Sequence, residues 1–370
     1  MKKIEVITLH RVTNFGSLLQ TYATQTVLER MGYNVEVIDF VPEGLSFFRA
    51  IWPRGSNAWK QAVKIIPLTV ANIIQYNMSD SFLRKYIHLT QKRFKNFSEL
   101  KNDCPEADIY LSGSDQVWNT QNNNKDEDLG AYYLAFTDSR EKIAYAGSFG
   151  RIELSSEELK RIEPWLKEYK AISVRESHGI NILNQIGLYG EHVLDPTMLL
   201  SFAEWERLIP KKTRSESRFV FVYNLNRNKL VEKIAKKVAE VKKCKIVNFA
   251  DTFEFISGAN NRMNNTPYDF LYYLSKSCFV VTDSFHGTAF SINFNKQFIC
   301  VSPPKYSSRL ESILGLFNCS TRMVNDLSQV DNLLDTDIDY SIVNRKLQEE
   351  REISEQYLKC SLLKKDEELC

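Results

Sequence analysis

A chain of 370 residues with 43% apolar content is long enough for roughly two domains with a substantial core. Its 48 lysines and arginines stand against 46 aspartates and glutamates, leaving a net charge of +2, which excludes the chain-wide basic field of a nucleic-acid binder. The longest apolar stretch, residues 65–74, contains Pro67 and falls short of the roughly 18 residues a membrane span needs. Glu5 interrupts the apolar N-terminal stretch and no small-residue cleavage site follows, so no signal peptide is expected. The seven cysteines lack CxxC spacing, and Cys278 and Cys300 sit inside apolar runs, which predicts a reduced, cytoplasmic chain without a disulfide framework or a structural zinc.

In chain order, an apolar run at 3–9 reads as a strand and 17–31 as a helix stopped by Gly32. VEVIDF at 35–40 is a second strand. DIYLSG (108–113), KIAYAG (142–147) and AISV (171–174) follow, with helical stretches near 155–169 and 177–186. The pattern restarts after IPKKTRSES at 209–217. Strands at 219–225, 245–250, CFVVTD and QFICV then alternate with helices at 228–243, 268–277, from about 287, and 307–317. The alternation predicts α/β architecture: two Rossmann-like doubly wound domains facing a cleft, 1–205 and 206–325, with a helical tail over 326–370. One segment breaks the rhythm. Residues 45–98 hold nine basic residues and one acidic residue, Asp80, interleaved with Phe47, Phe48, Trp52, Trp59 and Ile73. This basic insertion at about 45–100 reads as helical, with either a solvated charged rim or a face for an anionic membrane surface or a diphosphate.

Three turns carry chemistry. In TDSFHGTAF (282–290) a buried strand ends and a helix opens, aiming backbone N–H groups and the helix dipole past the strand end. Ser284 and Thr288 add hydroxyls, and His286 adds a ring able to bind phosphate or move a proton. The plainer reading is a cap by Asp283 or Ser284 with a packed histidine. In ISVRES (172–177), Arg175 follows a short strand, and its fork suits a carboxylate or phosphate; the plainer reading is an ion pair with Glu176 or Glu191. In SGSDQVWN (112–119), Asp115, Gln116 and Trp118 suit a sugar, with Asp115 able to accept a hydroxyl proton; the plainer reading is an Asx-turn with an anchoring tryptophan. Weaker candidates are Asn14 and Gln20, with His10, Gly16 and Ser17, after the first strand, and Ser148 in AGSFG (146–150). DTDID at 335–339 fails as a calcium loop, since Tyr340 and Lys346 stand where Gly and Glu are needed. No dinucleotide fingerprint, P-loop or G-x-S-x-G elbow occurs.

Taken together and in order, NFGSLLQTYATQTVLERMGYNVEVIDF, GSDQVWN, KIAYAGSFG, ISVRESHGINILNQIG, VLDPTMLL and DSFHGTAFSINFNKQFICV resemble the polysaccharide pyruvyl transferase family over about residues 4–301. The resemblance implies a two-domain, GT-B-like fold. It also implies transfer of a pyruvyl group from phosphoenolpyruvate to two hydroxyls of a sugar, giving a cyclic ketal and phosphate, with Arg175 and the His286 turn expected to hold the donor. Phosphoenolpyruvate carries close to three negative charges, so Arg175, the turn Ser284, Phe285, His286, Gly287 and Thr288, and Lys305 or Arg309 are the donor set. Asn14, Gln20, Asp115, Gln116, Trp118 and Ser148 are the acceptor set, with Asp115, Arg175 and His286 as the catalytic residues. No metal or other cofactor is required. The acceptor is a sugar of a surface polysaccharide or its polyprenyl-diphosphate-linked precursor, met in the cytoplasm with peripheral contact at the inner membrane face. Two other readings stay open from sequence: a sugar-nucleotide-dependent glycosyltransferase and a non-catalytic scaffold of polysaccharide assembly.

Overall fold

A computed structural model describes residues 1–42, 58–121, 126–211, 217–250, 255–303 and 307–363, without the side chains of 58–68 and 126–127. The chain divides into a first unit, Met1–Trp52 with Ser79–Leu199 and Glu350–Cys370, and a second, Pro53–Met78 with Leu200–Glu349.

The first unit is built on seven parallel strands: β1 (Lys3–Ile7), β2 (Asn34–Phe40), β3 (Leu89–Phe94), β4 (Ile109–Ser112), β5 (Lys142–Gly147), β6 (Ala171–Val174) and β7 (Glu191–His192). Their order is β3-β2-β1-β4-β5-β6-β7. Helices cover both faces of such a sheet, which is why β1, β4 and β5 read as near-continuous apolar runs. The core includes Ile7, Ile38, Tyr110, Ala144, Ile172 and Val174 under Trp118, Tyr132 and Tyr133. Local chemistry starts the helices. Asn14 caps Phe15–Arg30, and Ser155 and Glu158 form a reciprocal capping box on Ser156–Leu166.

The second unit has six parallel strands: β8 (Phe219–Tyr223), β9 (Lys245–Phe249), β10 (Asn260–Arg262), β11 (Phe279–Thr282), β12 (Phe298–Val301) and β13 (Met323–Val324), in the order β10-β9-β8-β11-β12-β13. Its Lys229–Val241 helix turns Val231, Ile234, Ala235 and Val238 onto the sheet and leaves its lysines and glutamates outward. Thr266 and Asp269 box the start of Pro267–Lys276, with proline in its first turn.

Three expectations are corrected. The segment read wholly as an insertion ends in β3, an edge strand whose middle residues Gln91, Lys92 and Arg93 are exposed; such charge is what edge strands carry against stray pairing. The helix before it, Ala58–Tyr86, runs from the second unit into the first. The C-terminal residues are not a separate tail. On the Tyr340–Leu362 helix, Ser354 accepts from the Leu194 amide at 2.9 Å and the Tyr357 hydroxyl donates to the Ala144 carbonyl at 2.8 Å, so this end returns to the first unit. Cys104, Cys244, Cys278, Cys300 and Cys319 are free thiols, whereas Cys360 on the terminal helix is disulfide-bonded, a departure from the fully reduced chain expected from spacing. No described helix is long and apolar enough to cross a membrane.

Candidate active site

In each sheet the strand order reverses once, and a doubly wound sheet binds ligands beyond the carboxyl ends of the strands flanking that point. In the first unit the reversal falls between β1 and β4, in the second between β8 and β11. Residues 8–17 and 113–119 therefore flank the first crevice, and 224–228 and 283–288 the second.

At the first crevice the chain builds a buried ionic chain. Ser17, in the first turn of its helix, donates to Asp115. The Arg175 guanidinium donates through Nη2 to Asp115 Oδ1 at 3.1 Å and through Nη1 to Asp195 Oδ2 at 2.7 Å. Asp195 is fixed in turn by Ser114 Oγ at 2.9 Å, the Thr197 amide at 3.0 Å and the Thr197 hydroxyl at 2.7 Å. Arg175 is 3% exposed and Asp115 6%. Burial works against the guanidinium's charge, but Asp115, Asp195 and Glu176 outweigh it and raise its pKa above the ordinary arginine value. Asp115 sits at φ +73°, a left-handed conformation that costs a non-glycine residue roughly 1–3 kcal/mol. The backbone beside it is shaped to match. β5 shifts register against β6 between Ala144 and Gly147, Ala146 takes φ +54°, and Gly147 pairs with Asp115. A Cβ on Gly147 would lie 2.8 Å from the Trp118 ring, so only glycine fits there.

A second buried cluster braces the loop after β1. Asp39 at the end of β2 accepts from His10 Nε2 at 3.1 Å, Arg11 Nε at 2.5 Å and Nη2 at 2.8 Å, and Arg93 Nε at 3.0 Å, while Arg11 also pairs with Asp80. Burial pushes the Asp39 carboxyl up, and the bonds from His10 and Arg11 overcome it and hold it well below the usual carboxylate range. The basic residues Arg84, Lys92 and Arg93 are likewise spent on Asp80, Asp103 and Asp39. Arg49, Arg54, Phe47, Phe48 and Trp52 lie outside the described residues, as do the side chains of Trp59, Lys60 and Lys64.

At the second crevice Ser284 caps the Phe285–Asn293 helix, its hydroxyl accepting from the Gly287 amide at 3.3 Å. Asp283 accepts from the Leu225 amide at 2.7 Å and the Asn226 amide at 2.9 Å, tying the loop after β8 to the loop after β11. Burial raises its pKa against those bonds. Gly287 is required by close packing, since a Cβ there would overlap the Thr282 hydroxyl and sit 3.0 Å from Thr282 Cβ. His286 is 4% exposed, its ring edge-on to Phe285 at 5.2 Å, and the Arg309 guanidinium lies 5.9 Å from the Phe285 ring centre. The helix mouth, His286 and Arg309 thus share one neighbourhood. Anions gain roughly 0.3–2 kcal/mol there from the dipole alone.

Several expected contacts face inward instead. Trp118 is wholly buried, stacked on Tyr133 at 5.4 Å with its indole N–H donated to the Tyr132 carbonyl, so it anchors the core and offers no face to a sugar. Gln20 spends its amide on Thr8, Thr21 and the Ser17 carbonyl. The buried Ser148 hydroxyl accepts from the Gly150 amide. Thr288 donates back to the Ser284 carbonyl, closing the first helical turn. Arg175, read as a donor-binding fork, is engaged by Asp115, Asp195 and, at 3.7 Å, Glu176, all of its own unit, so the ion pair with Glu176 given as the plainer reading is present. Asn14, which accepts from the Gly16 amide, and the half-buried Gln116, whose side-chain oxygen accepts from Asn119 at 2.7 Å, remain at the crevice. Lys305 lies outside the described residues. Asp195 and Asp39 were not singled out from sequence; the available signal was an acidic residue just past, or at the end of, an apolar strand.

The chain has no match among curated proteins. Among solved structures it is similar to the S. aureus MnaA–UDP co-structure, at 12% identity and TM-score 0.55 over 96% of this chain and 91% of that one. It is also similar to a putative UDP-N-acetylglucosamine 2-epimerase from Listeria monocytogenes, at 12% identity and TM-score 0.51 over 94% and 90%. At 8% identity the UDP-GlcNAc 2-epimerase from Methanocaldococcus jannaschii gives TM-score 0.51 over 92% and 93%. At such identities these likenesses carry the fold alone, the two doubly wound α/β units of GT-B type expected from the sequence. The polysaccharide pyruvyl transferase family model matches residues 14–305, taking in the second crevice and all of the first except residues 8–13. The chain belongs to the polysaccharide pyruvyl transferase family.

Proposed function

We propose that this chain moves a pyruvyl group from phosphoenolpyruvate onto two hydroxyls of a sugar in a surface polysaccharide or its polyprenyl-diphosphate-linked precursor. The observation that carries the reading is the family match across both switch-point crevices, one lined with a carboxylate held in place and the other with an anion-favouring helix mouth. In this reading the donor's phosphate lies at the Ser284–Gly287 turn, with His286 and Arg309 as its partners. Its methylene carbon gains a proton, leaving a cation at the central carbon. A sugar hydroxyl adds there, the C–O bond to phosphate breaks, and the second hydroxyl closes the ketal. The two hydroxyl protons balance the one taken by the methylene carbon and the one that leaves with phosphate. Asp115 accepts a hydroxyl proton, and Ser17, Arg175 and Asp195 hold it in place. Fixed donors around the departing phosphate lower the barrier most, at roughly 3–4 kcal/mol each.

The test is phosphate release from phosphoenolpyruvate across galactosides, glucosides and mannosides, with mass spectrometry for the ketal. No release with any acceptor, together with no thermal protection by phosphoenolpyruvate, would sink it. The likeness to the MnaA–UDP structure favours one second reading, a sugar-nucleotide-dependent transferase. Protection from unfolding by a UDP-sugar, and none by phosphoenolpyruvate, would select that reading.

A further inference from the structure

Beside the His286 turn the second sheet offers another helix mouth. β11 and β12 run side by side in parallel, Val280 opposite Phe298, so the Phe285–Asn293 and Ser308–Leu316 helices both begin beyond the carboxyl edge of one sheet. The two helices pack together and their first turns meet, with the Arg309 guanidinium 5.9 Å from the Phe285 ring centre. The mouths are finished differently. Ser284 caps the first by accepting from the Gly287 amide, whereas the second has no side-chain cap. Ser308, the first residue of the second helix, is 1% exposed, and among the described residues its hydroxyl has no hydrogen-bond partner. Buried hydroxyls are nearly always paired, and an unpaired one costs stability. Side chains on a helix tilt toward its amino end, so this hydroxyl leans to the helix mouth, where backbone N–H groups and the dipole favour an anion.

Building on the pyruvyl-transfer reading, we propose that Ser308 is a further donor-binding residue whose hydroxyl donates to the carboxylate of phosphoenolpyruvate, while the phosphate lies at the neighbouring Ser284–Gly287 turn. In that donor the carbon bearing the phosphate oxygen also bears the carboxylate, so two anionic groups sit close together on a small frame. Two adjoining helix mouths match them. A serine hydroxyl carries one O–H donor, which suits a carboxylate oxygen and supplies the partner that Ser308 lacks within the protein. Arg309, next in the chain, reaches Phe285 of the first helix and sets a cation beside both mouths. Glu311, the acidic residue of the same first turn, is exposed to water. Inorganic phosphate and the diphosphate of a UDP-sugar lack the carboxylate, so the Ser308 contact favours the three-carbon donor over either.

The test is thermal protection of the full chain by phosphoenolpyruvate and by inorganic phosphate, comparing wild type with Ser308→Ala. The variant is expected to need roughly ten- to a hundredfold more phosphoenolpyruvate for the same protection, the usual weight of a hydrogen bond to a charged group. Its response to phosphate should be unchanged. Without ligand it should melt at the wild-type temperature or slightly above, because the oxygen removed had no partner. Equal protection of both proteins by phosphoenolpyruvate would overturn the role of Ser308 and leave the pyruvyl-transfer reading standing. A matching loss toward both ligands would overturn it too, since the hydroxyl would then serve the phosphate. No protection of wild type by phosphoenolpyruvate would sink that reading and the role of Ser308 with it. Should Ser308→Ala fail to fold, Ser308→Cys, similar in size and a weaker donor, takes its place in the comparison.

Discussion

Arg175 holds Asp115 through one arm of its guanidinium and Asp195 through the other, at 3.1 and 2.7 Å, so the candidate base is set by a residue 60 positions away in sequence. The three groups are buried together, and removing the arginine leaves two carboxylates without their shared cation. Arg175→Ala is expected to lose roughly 3–5 kcal/mol of stability and to lower turnover at least about a hundredfold. Arg175→Lys supplies charge without a fork and should recover part of the stability but little turnover. Urea unfolding and phosphate release measure the two effects. Unchanged stability in Arg175→Ala would show that the arginine is spent elsewhere.

His286→Ala tests the other crevice. The ring sits in the first turn of a helix whose cap and packing come from Ser284, Gly287 and Thr282, none of which needs the imidazole. Turnover should fall roughly a hundredfold or more, within the usual range for a proton-transferring group, while the melting temperature moves little. Normal phosphate release from this variant would remove His286 from the chemistry.

Trp118 separates a core role from a sugar-binding one. Trp118→Ala is expected to cost roughly 3–5 kcal/mol, as large core truncations do. Trp118→Phe should leave the KM for the sugar acceptor unchanged. A large rise in acceptor KM for the phenylalanine variant, with stability intact, would contradict the packing described.

Glu5 in β1 is buried beside Lys3, at 2.9 Å, and Lys3 also reaches Glu36 at 2.7 Å. Burial is the main cause that raises its carboxyl from 4.5 to about 7, only partly offset by Lys3. The folded chain keeps a proton that the unfolded chain releases, so stability falls as pH rises from about 4.5 to about 7 and is flat above. The loss amounts to roughly 3 kcal/mol. Glu5→Gln should remove this slope and be the more stable protein at pH 8. Denaturant melts at pH 5 and pH 8 give the comparison.

The sheet strands were legible because parallel strands buried on both faces must be apolar throughout; FVFVY and KIAYAG carry that mark openly. β3 was not, because LTQKRF is an edge strand with a charged, exposed middle that matches no buried pattern. Turn location was readable as well. Asp115, Arg175 and the His286 turn do lie past strand ends, where free backbone and polar side chains collect. What each side chain faces was not readable, since the spacing of GSDQVWN suits an outward tryptophan as well as the buried one found at Trp118. Arg175 shows the same limit: ISVRES names Glu176, but the two carboxylates that its fork holds, Asp115 and Asp195, lie in the loops after β4 and β7.

The terminal helix has a consequence for biosynthesis. Tyr145, Ala144 and Leu194 are made early, yet their contacts with Ser354 and Tyr357 exist only once residues near 357 have left the ribosome. The first unit therefore waits, incomplete, while the whole second unit emerges. Nascent chains halted before Ser354 should stay protease-sensitive in the first two hundred residues, and the final helix acts as the latch that ends that vulnerable interval.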